Sequence, residues 1–72
     1  MKDLRLLKLG NKIRFERIKR DYSQEQLAEK ANISIRTVSD IERGLTDIRY
    51  TNLLQISDAF NMEIAELLAF KI

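Results

Sequence analysis

The segment from Ser23 to Gly44 carries the side chains best suited to recognition chemistry. Its apolar residues recur at helical spacing on both sides of a break near Asn32, which predicts two short helices joined by a sharp turn. The second helix presents one outer face, made of Ile35, Arg36, Ser39, Asp40 and Arg43. A short helix that is held from behind by a partner helix and shows polar groups and an arginine to solvent fits a DNA major groove. Sequence-specific binding to double-stranded DNA is therefore the leading hypothesis.

Two residue types that often carry enzyme chemistry are missing. The chain contains no histidine and no cysteine, which removes the commonest general base and metal ligand and excludes disulfides and thiolate metal sites. No glycine-rich phosphate loop and no serine-centred nucleophile motif is present. We therefore expect no enzyme activity, no metal, no cofactor and no small-molecule ligand.

Charge is distributed unevenly along the chain. Residues 1–20 contain eight basic and two acidic residues, whereas residues 21–72 contain five basic and nine acidic residues. This asymmetry indicates one surface that meets an anion and another that does not, although a basic first helix can also be a plain solvated face. Lys19 and Arg20 adjoin the start of the second helix, where they could assist in binding phosphate.

The elements that position the outer face are all predicted to be helices. Apolar spacing is helical through nearly all of the 72 residues, and proline is absent. We predict an all-α, compact five-helix domain over residues 1–72, with helices at about 3–20, 23–31, 34–43, 51–60 and 63–70. No stretch approaches the roughly 20 apolar residues of a membrane span, and the N-terminus lacks the apolar region of a signal peptide. We expect a cytoplasmic protein with no membrane partner.

Local signals mark the ends of these helices. Ser23 and Gln26 have the spacing of a capping box, which begins the second helix. Asn32 tolerates the left-handed backbone that a tight turn requires, Ser34 caps the third helix, and Gly44 ends it. The helix-turn-helix is therefore predicted at residues 23–43.

This pattern resembles the lambda-repressor/Cro-like helix-turn-helix family, also called the Xre type. The resemblance covers about residues 8–68. The matching positions are Ile13, Arg17, Ser23, Gln24, Leu27, Ala28, Asn32, Ile33, Ser34, Val38, Ser39, Ile41, Glu42, Arg43, Gly44, Leu53, Ile56, Ala59, Phe60, Asn61, Met62, Leu67 and Leu68. It implies a lambda-repressor-like fold and DNA recognition through the helix that begins near Ser34.

The resemblance also implies roles for individual residues. Gln24 would contact a phosphate and brace the third helix, and Arg43 would reach the DNA backbone. Arg17 and Glu42 occupy the positions of a paired arginine and glutamate that tie the first helix to the third. The remaining expected DNA-binding positions are Ser34, Ile35, Arg36, Ser39 and Asp40.

Two of these positions depart from the family pattern. Ile35 replaces a polar residue that is common at a base-reading position, and it can pack only against an apolar group such as a thymine methyl. Asp40 can accept a hydrogen bond from a cytosine amino group, or it can repel phosphate. Arg36 is the strongest candidate for base contact, because an arginine can donate two hydrogen bonds to guanine.

The C-terminal segment is more apolar than a domain of this size requires. We expect a homodimer interface that contains Leu67, Phe70 and Ile72. The alternative is that Phe70 and Ile72 fold back on the first helix.

These features together predict a transcriptional regulator, either a repressor or a small controller, that binds a partly palindromic operator as a homodimer. RNA polymerase or a toxin is a further possible partner. The alternatives are the DNA-binding antitoxin of a toxin–antitoxin pair and a protein-binding helical module.

Overall fold

The computed structural model describes residues 3–70, and their regular structure consists of five helices. They are α1 (Leu4–Lys19), α2 (Gln24–Ala31), α3 (Ile35–Glu42), α4 (Tyr50–Ala59) and α5 (Ile64–Leu67). The all-α, five-helix prediction is confirmed. The largest difference from the prediction is at α5, which was expected to reach residue 70 but ends at Leu67. Beyond Leu67 the backbone hydrogen bonds span fewer residues than in an α-helix, since the Ala69 N–H donates to the Glu66 carbonyl and the Phe70 N–H to the Leu68 carbonyl.

The turns between the helices form where local side chains allow them. The Ser23 hydroxyl accepts from the backbone N–H of Gln26 at 3.0 Å, and the Gln26 side chain accepts from the Ser23 N–H at 2.8 Å. This capping box satisfies two backbone donors at the start of α2. Asn32 ends α2 with φ 58° and Asn61 follows α4 with φ 56°. Both lie in the left-handed region, which asparagine tolerates better than most residues.

The core lies where all five helices meet. It contains Leu9 and Ile13 of α1, Leu27, Ala28 and Ala31 of α2, Val38 and Ile41 of α3, Leu53, Ile56 and Phe60 from α4 and its end, and Leu67 of α5. In residues 3–70, no helix has the length and apolar character needed to cross a bilayer.

Both glycines lie where α1 approaches the C-terminal end of α3. A Cβ on Gly10 would collide with the backbone carbonyl of Ile41 and lie 2.9 Å from that of Glu42. Gly44 has φ +69°, and a Cβ there would lie 2.8 Å from the Cα of Leu7. The absence of a side chain at these two positions therefore lets the backbone of α1 pack directly against the C-terminal end of α3, which fixes the orientation of the two helices.

Candidate nucleic-acid interface

One side of α3 is buried against α2, and the opposite side is open to solvent. Val38 and Ile41 are buried against Leu27 and Ala28 of α2 in the same core. The Ser34 hydroxyl caps α3 by accepting from the Thr37 N–H at 3.0 Å. The buried face fixes the angle between α2 and α3, so the opposite face of α3 has a defined direction.

The structure brings the sequence-predicted DNA-binding residues of α3 to this open face. Ser34, Ile35, Arg36 and Arg43 are exposed, whereas Ser39 and Asp40 are half-buried. The Arg36 side chain is 90% exposed. Its guanidinium group is therefore free to approach a ligand without first leaving the protein interior.

Arg36 has one acidic neighbour on the same face. Its Nε lies 3.7 Å from Oδ2 of Asp40, one turn further along α3. Asp40 also lines a polar groove of about 350 Å³ between α3 and the start of α4, together with Thr37, Thr46, Asp47, Arg49 and Asn52. Because the Arg36–Asp40 contact is long and solvent-exposed, it holds Arg36 only weakly.

A charged network ties α1, α2 and α3 together. Arg17 donates from Nε and Nη2 to the two carboxylate oxygens of Glu42, at 2.7 and 3.0 Å. Gln24 donates to the same carboxylate at 3.2 Å, and Arg17 also donates to the Tyr22 carbonyl at 2.8 Å. The structure thus brings together the arginine and glutamate that the resemblance pairs, and it places Gln24 against α3. Glu42 looks like a surface acid in the sequence, yet it is buried.

A small groove opens beside this network. It has a volume of about 260 Å³ and is lined by Arg14, Arg17, Gln24, Glu42 and Arg43. Arg14 and Arg43 are exposed at its margin. The groove carries an excess of positive charge next to the end of α3, which suits an anionic ligand.

A second buried acid was missed by the sequence reasoning. Glu16 is buried and accepts from Lys12 and Arg20, each at 2.7 Å. The hydrogen bond from Lys12 is the main cause that lowers the pKa of Glu16 from its ordinary value; burial opposes this effect, and the hydrogen bond from Arg20 adds to it. The signal that could have found this site is the spacing of Lys12, Glu16 and Arg20, since residues four apart are neighbours on a helix.

The suggestion that Arg20 assists in binding phosphate needs correction. Its guanidinium group donates to Glu16 and to the Phe60 carbonyl at 2.9 Å, and it lies 4.8 Å from the centre of the Phe60 ring. These contacts join α1 to the end of α4. Arg20 is therefore committed to the fold, because reaching DNA would break all of them.

The expected interface residues at the C-terminus have different surroundings. Leu67 is fully buried in the core of its own chain, so its side chain is not available to a second subunit, and the prediction for this residue was wrong. The short α5 turns its inner face towards α4, which covers Leu67. Phe70 is half-buried and packs against the core. Ile72 lies outside the described residues.

Within residues 3–70, no cluster of acidic side chains has an arrangement that could hold a metal ion. What the open face of α3 and the adjacent groove provide is a set of exposed donors and positive charge. This arrangement can bind and orient an anionic polymer.

Comparison with known proteins identifies this arrangement. The model of the helix-turn-helix family matches residues 13–67, which include the C-terminal part of α1 and the whole of the other four helices. The chain belongs to the lambda-repressor/Cro-like helix-turn-helix family. It is a DNA-binding transcriptional regulator, and its family consists of DNA-binding regulators rather than enzymes.

Individual relatives agree with this assignment. The control protein C.BamHI from Bacillus amyloliquefaciens is 38% identical over 69 residues, which cover 94% of this chain and 84% of the relative. The restriction-modification controller protein C.AhdI from Aeromonas hydrophila superimposes with a TM-score of 0.84 at 32% identity, over 86% of this chain and 94% of that chain. The biofilm master regulator SinR, solved in complex with DNA, superimposes with a TM-score of 0.78 at 33% identity, over 83% of this chain and 97% of that chain.

Proposed function

We propose that this regulator is a small controller or repressor that binds a partly palindromic operator as a homodimer. The observation that carries the proposal is the exposed face of α3. Arg36 lies on this face and is freely exposed, whereas Val38 and Ile41 on the opposite side of the helix are buried in the core. The similarity to C.BamHI and C.AhdI supports the role of a controller. A regulator of this kind acts where the DNA is, which supports a cytoplasmic location.

The residues of the face have separate roles in this proposal. Arg36 donates two hydrogen bonds to a guanine, and Ile35 packs against a thymine methyl. Ser34, Ser39 and Asp40 complete the face that meets base edges. Gln24 and Arg43 bind phosphates beside the groove, and they set the position of α3 without reading sequence.

The homodimer is proposed from the C-terminal end of the fold. Leu68 is exposed although it is large and apolar, and Phe70 is half-buried beside it. Contact between two copies at this end would remove both side chains from water. A twofold dimer would place two α3 helices on half-sites one DNA turn apart, about 34–36 Å.

Selection of bound duplexes from a random pool tests the proposal. We expect a motif with twofold symmetry, and recovery of no motif would refute sequence-specific binding. Affinity for the selected duplex and for a random duplex is then measured in Arg36→Ala and Arg43→Ala. Arg36→Ala should cost about 1–3 kcal/mol on the selected duplex only, whereas Arg43→Ala should weaken both duplexes and reduce the salt slope by about one.

Arg5→Ala is the matched control, because Arg5 is an exposed arginine whose only side-chain partner among residues 3–70 is Asp3, far from α3 in the sequence. It should leave both affinities close to those of the original chain. Equal losses on both duplexes for Arg36→Ala and Arg43→Ala would show that the proposed roles are wrong.

A further inference from the structure

The outer face of α1 carries an apolar row that the core does not use. Leu4, Phe15 and Ile18 are 61%, 59% and 52% exposed. They lie on one side of the helix, opposite Leu9 and Ile13, which enter the core. We refer to Leu4, Lys8, Phe15, Ile18 and Lys19 as the basic apolar face.

This face is not suited to DNA. The opposite side of α1 is the one that packs on α3, through Gly10. The basic apolar face therefore points away from α3. Large apolar side chains also gain little from contact with phosphate. An occupant that matches the face must combine acidic and apolar groups.

The same chain carries a surface of that composition. A groove of about 410 Å³ lies between α4 and α5, and its lining includes Leu54, Asp58, Glu63, Ile64 and Glu66. Leu54 is exposed although it is large and apolar, and the three acids are exposed as well. We refer to these five residues as the acidic apolar groove.

Charge on the two surfaces is not neutralised within the described part of the chain. Among residues 3–70, the ion pairs are Arg5–Asp3, Lys12–Glu16, Arg17–Glu42, Arg20–Glu16 and Arg36–Asp40. None of them includes a charged residue of the basic apolar face or of the acidic apolar groove. Each surface therefore keeps its full charge of one sign beside exposed apolar groups.

We propose that the basic apolar face of one copy docks in the acidic apolar groove of a second copy. Docking would bury Phe15 and Ile18 against Leu54 and Ile64, and it would place Lys8 and Lys19 near the groove acids. Because the two surfaces differ, the contact is head-to-tail and leaves a free surface at each end. It goes beyond the twofold dimer proposed above, because it pairs two unlike surfaces, and that dimer does not use the one on α1.

Sedimentation velocity without DNA tests the contact. At about 0.1 M salt, the mean mass should rise with protein concentration past that of a dimer. At about 1 M salt, where the Debye length falls from about 10 Å to about 3 Å, this association should weaken, because exposed charge pairs are screened. A mass that is independent of salt at every concentration would overturn the proposal, whereas a twofold apolar dimer would survive both salts.

Two charge variants make the test specific. Lys8→Glu/Asn11→Glu makes the α1 face acidic, since Asn11 lies between Lys8 and Phe15 on the same side of the helix. Asp58→Lys/Glu66→Gln leaves the groove with no net charge, since only Glu63 and the new lysine remain charged. A glutamine side chain at position 66 can still accept the capping-box hydrogen bond from the Glu63 N–H. Each variant alone should associate roughly tenfold more weakly than the original chain, because like charges meet in the α1 variant and the attraction between opposite charges is lost in the groove variant. An equimolar mixture should recover one contact, between the intact face of one variant and the intact groove of the other.

Controls separate this contact from general effects of charge. Glu29→Lys changes an exposed acid on α2, outside both surfaces, and should associate like the original chain. Circular dichroism must show that each variant is folded at the temperature used. Failure of the mixture to associate more strongly than either variant, or binding to anionic lipid vesicles in place of self-association, would refute the proposal. Sequence-specific DNA binding is tested separately by duplex selection, so the two proposals can fail independently.

Discussion

Replacement of Glu42 by alanine tests whether the network between α1, α2 and α3 holds α3 in place. The Glu42 side chain is 3% exposed and that of Arg17 is 13% exposed. The substitution removes three hydrogen bonds to the carboxylate, two from Arg17 and one from Gln24. Arg17 keeps only its bond to the Tyr22 carbonyl. A nearly buried positive charge would then have no acidic partner.

The expected cost follows from that loss. Removal of one member of a buried ion pair costs about 3–5 kcal/mol, because the remaining charge is left uncompensated. The retained bond to the Tyr22 carbonyl favours the lower end of this range. At 0.05–0.15 kcal/mol per residue, a domain of this length has a free energy of unfolding of about 4–11 kcal/mol. Glu42→Ala should therefore remove a large share of the stability.

Thermal unfolding followed by circular dichroism measures the effect. One kcal/mol shifts the Tm of a small domain by about 4–8 °C, so we expect a decrease of at least about 12 °C. Glu29→Ala, which removes an exposed acid from α2, is the matched control and should shift the Tm by only a few degrees. If Glu42→Ala keeps its Tm within about a degree of the original, the network does not stabilise the fold.

A double substitution separates the charge from the packing. Arg17→Met/Glu42→Leu replaces both partners by apolar side chains of similar size. Because no unpaired charge remains, this variant should be clearly more stable than Glu42→Ala. Equal instability of the two variants would show that the cost of Glu42→Ala does not come from an uncompensated Arg17.

Substitutions at three other positions test separate features. Gly10→Ala should lower the free energy of unfolding, measured by urea denaturation, by about 1–3 kcal/mol despite the better helix propensity of alanine, because its Cβ meets the carbonyls at the end of α3. A higher free energy of unfolding would contradict the close packing. The pKa of Glu16 is lowered in the folded state from its ordinary value of 4.5. Its contribution to the free energy of unfolding is therefore fully present above pH 4.5 and is lost as the pH falls through the pKa of the folded state. Glu16→Gln should therefore lose less stability than the original chain between neutral pH and about pH 3, and parallel losses in both proteins would refute this linkage. Asn32→Ala should cost about 1–2 kcal/mol and Asn32→Gly much less, because the φ of 58° is strained for alanine; equal costs would show that the turn does not depend on backbone strain.

Much of the local structure could be predicted because its signals lie within a few residues. The capping box of Ser23 and Gln26 and the left-handed turn at Asn32 depend on neighbouring side chains and backbone, and both form as expected. Apolar spacing placed the helices because a helix must bury one side. The outer face of α3 follows from the same periodicity, which is why its residues could be named as candidates before any geometry was known.

Prediction was weakest at the end of the chain, where local signals are few. α5 contains only four residues, and its length is set by the turn that follows Leu67. Whether an apolar side chain there faces its own core or a second subunit depends on where α4 lies. The apolar pattern is the same in both cases, so Leu67 was assigned to an interface although it is buried.

The sequence by itself determined the positions of the first four helices, the caps of α2 and α3 and the composition of the outer face of α3, since each depends on residues close together in the chain. Only the tertiary structure decided that Glu16 and Glu42 are buried and that Gly10 lies against the backbone of α3. The physical reason is that burial depends on contacts between distant segments. The resemblance to the family paired Arg17 with Glu42, but the distances and the third partner, Gln24, came from the packing of three helices.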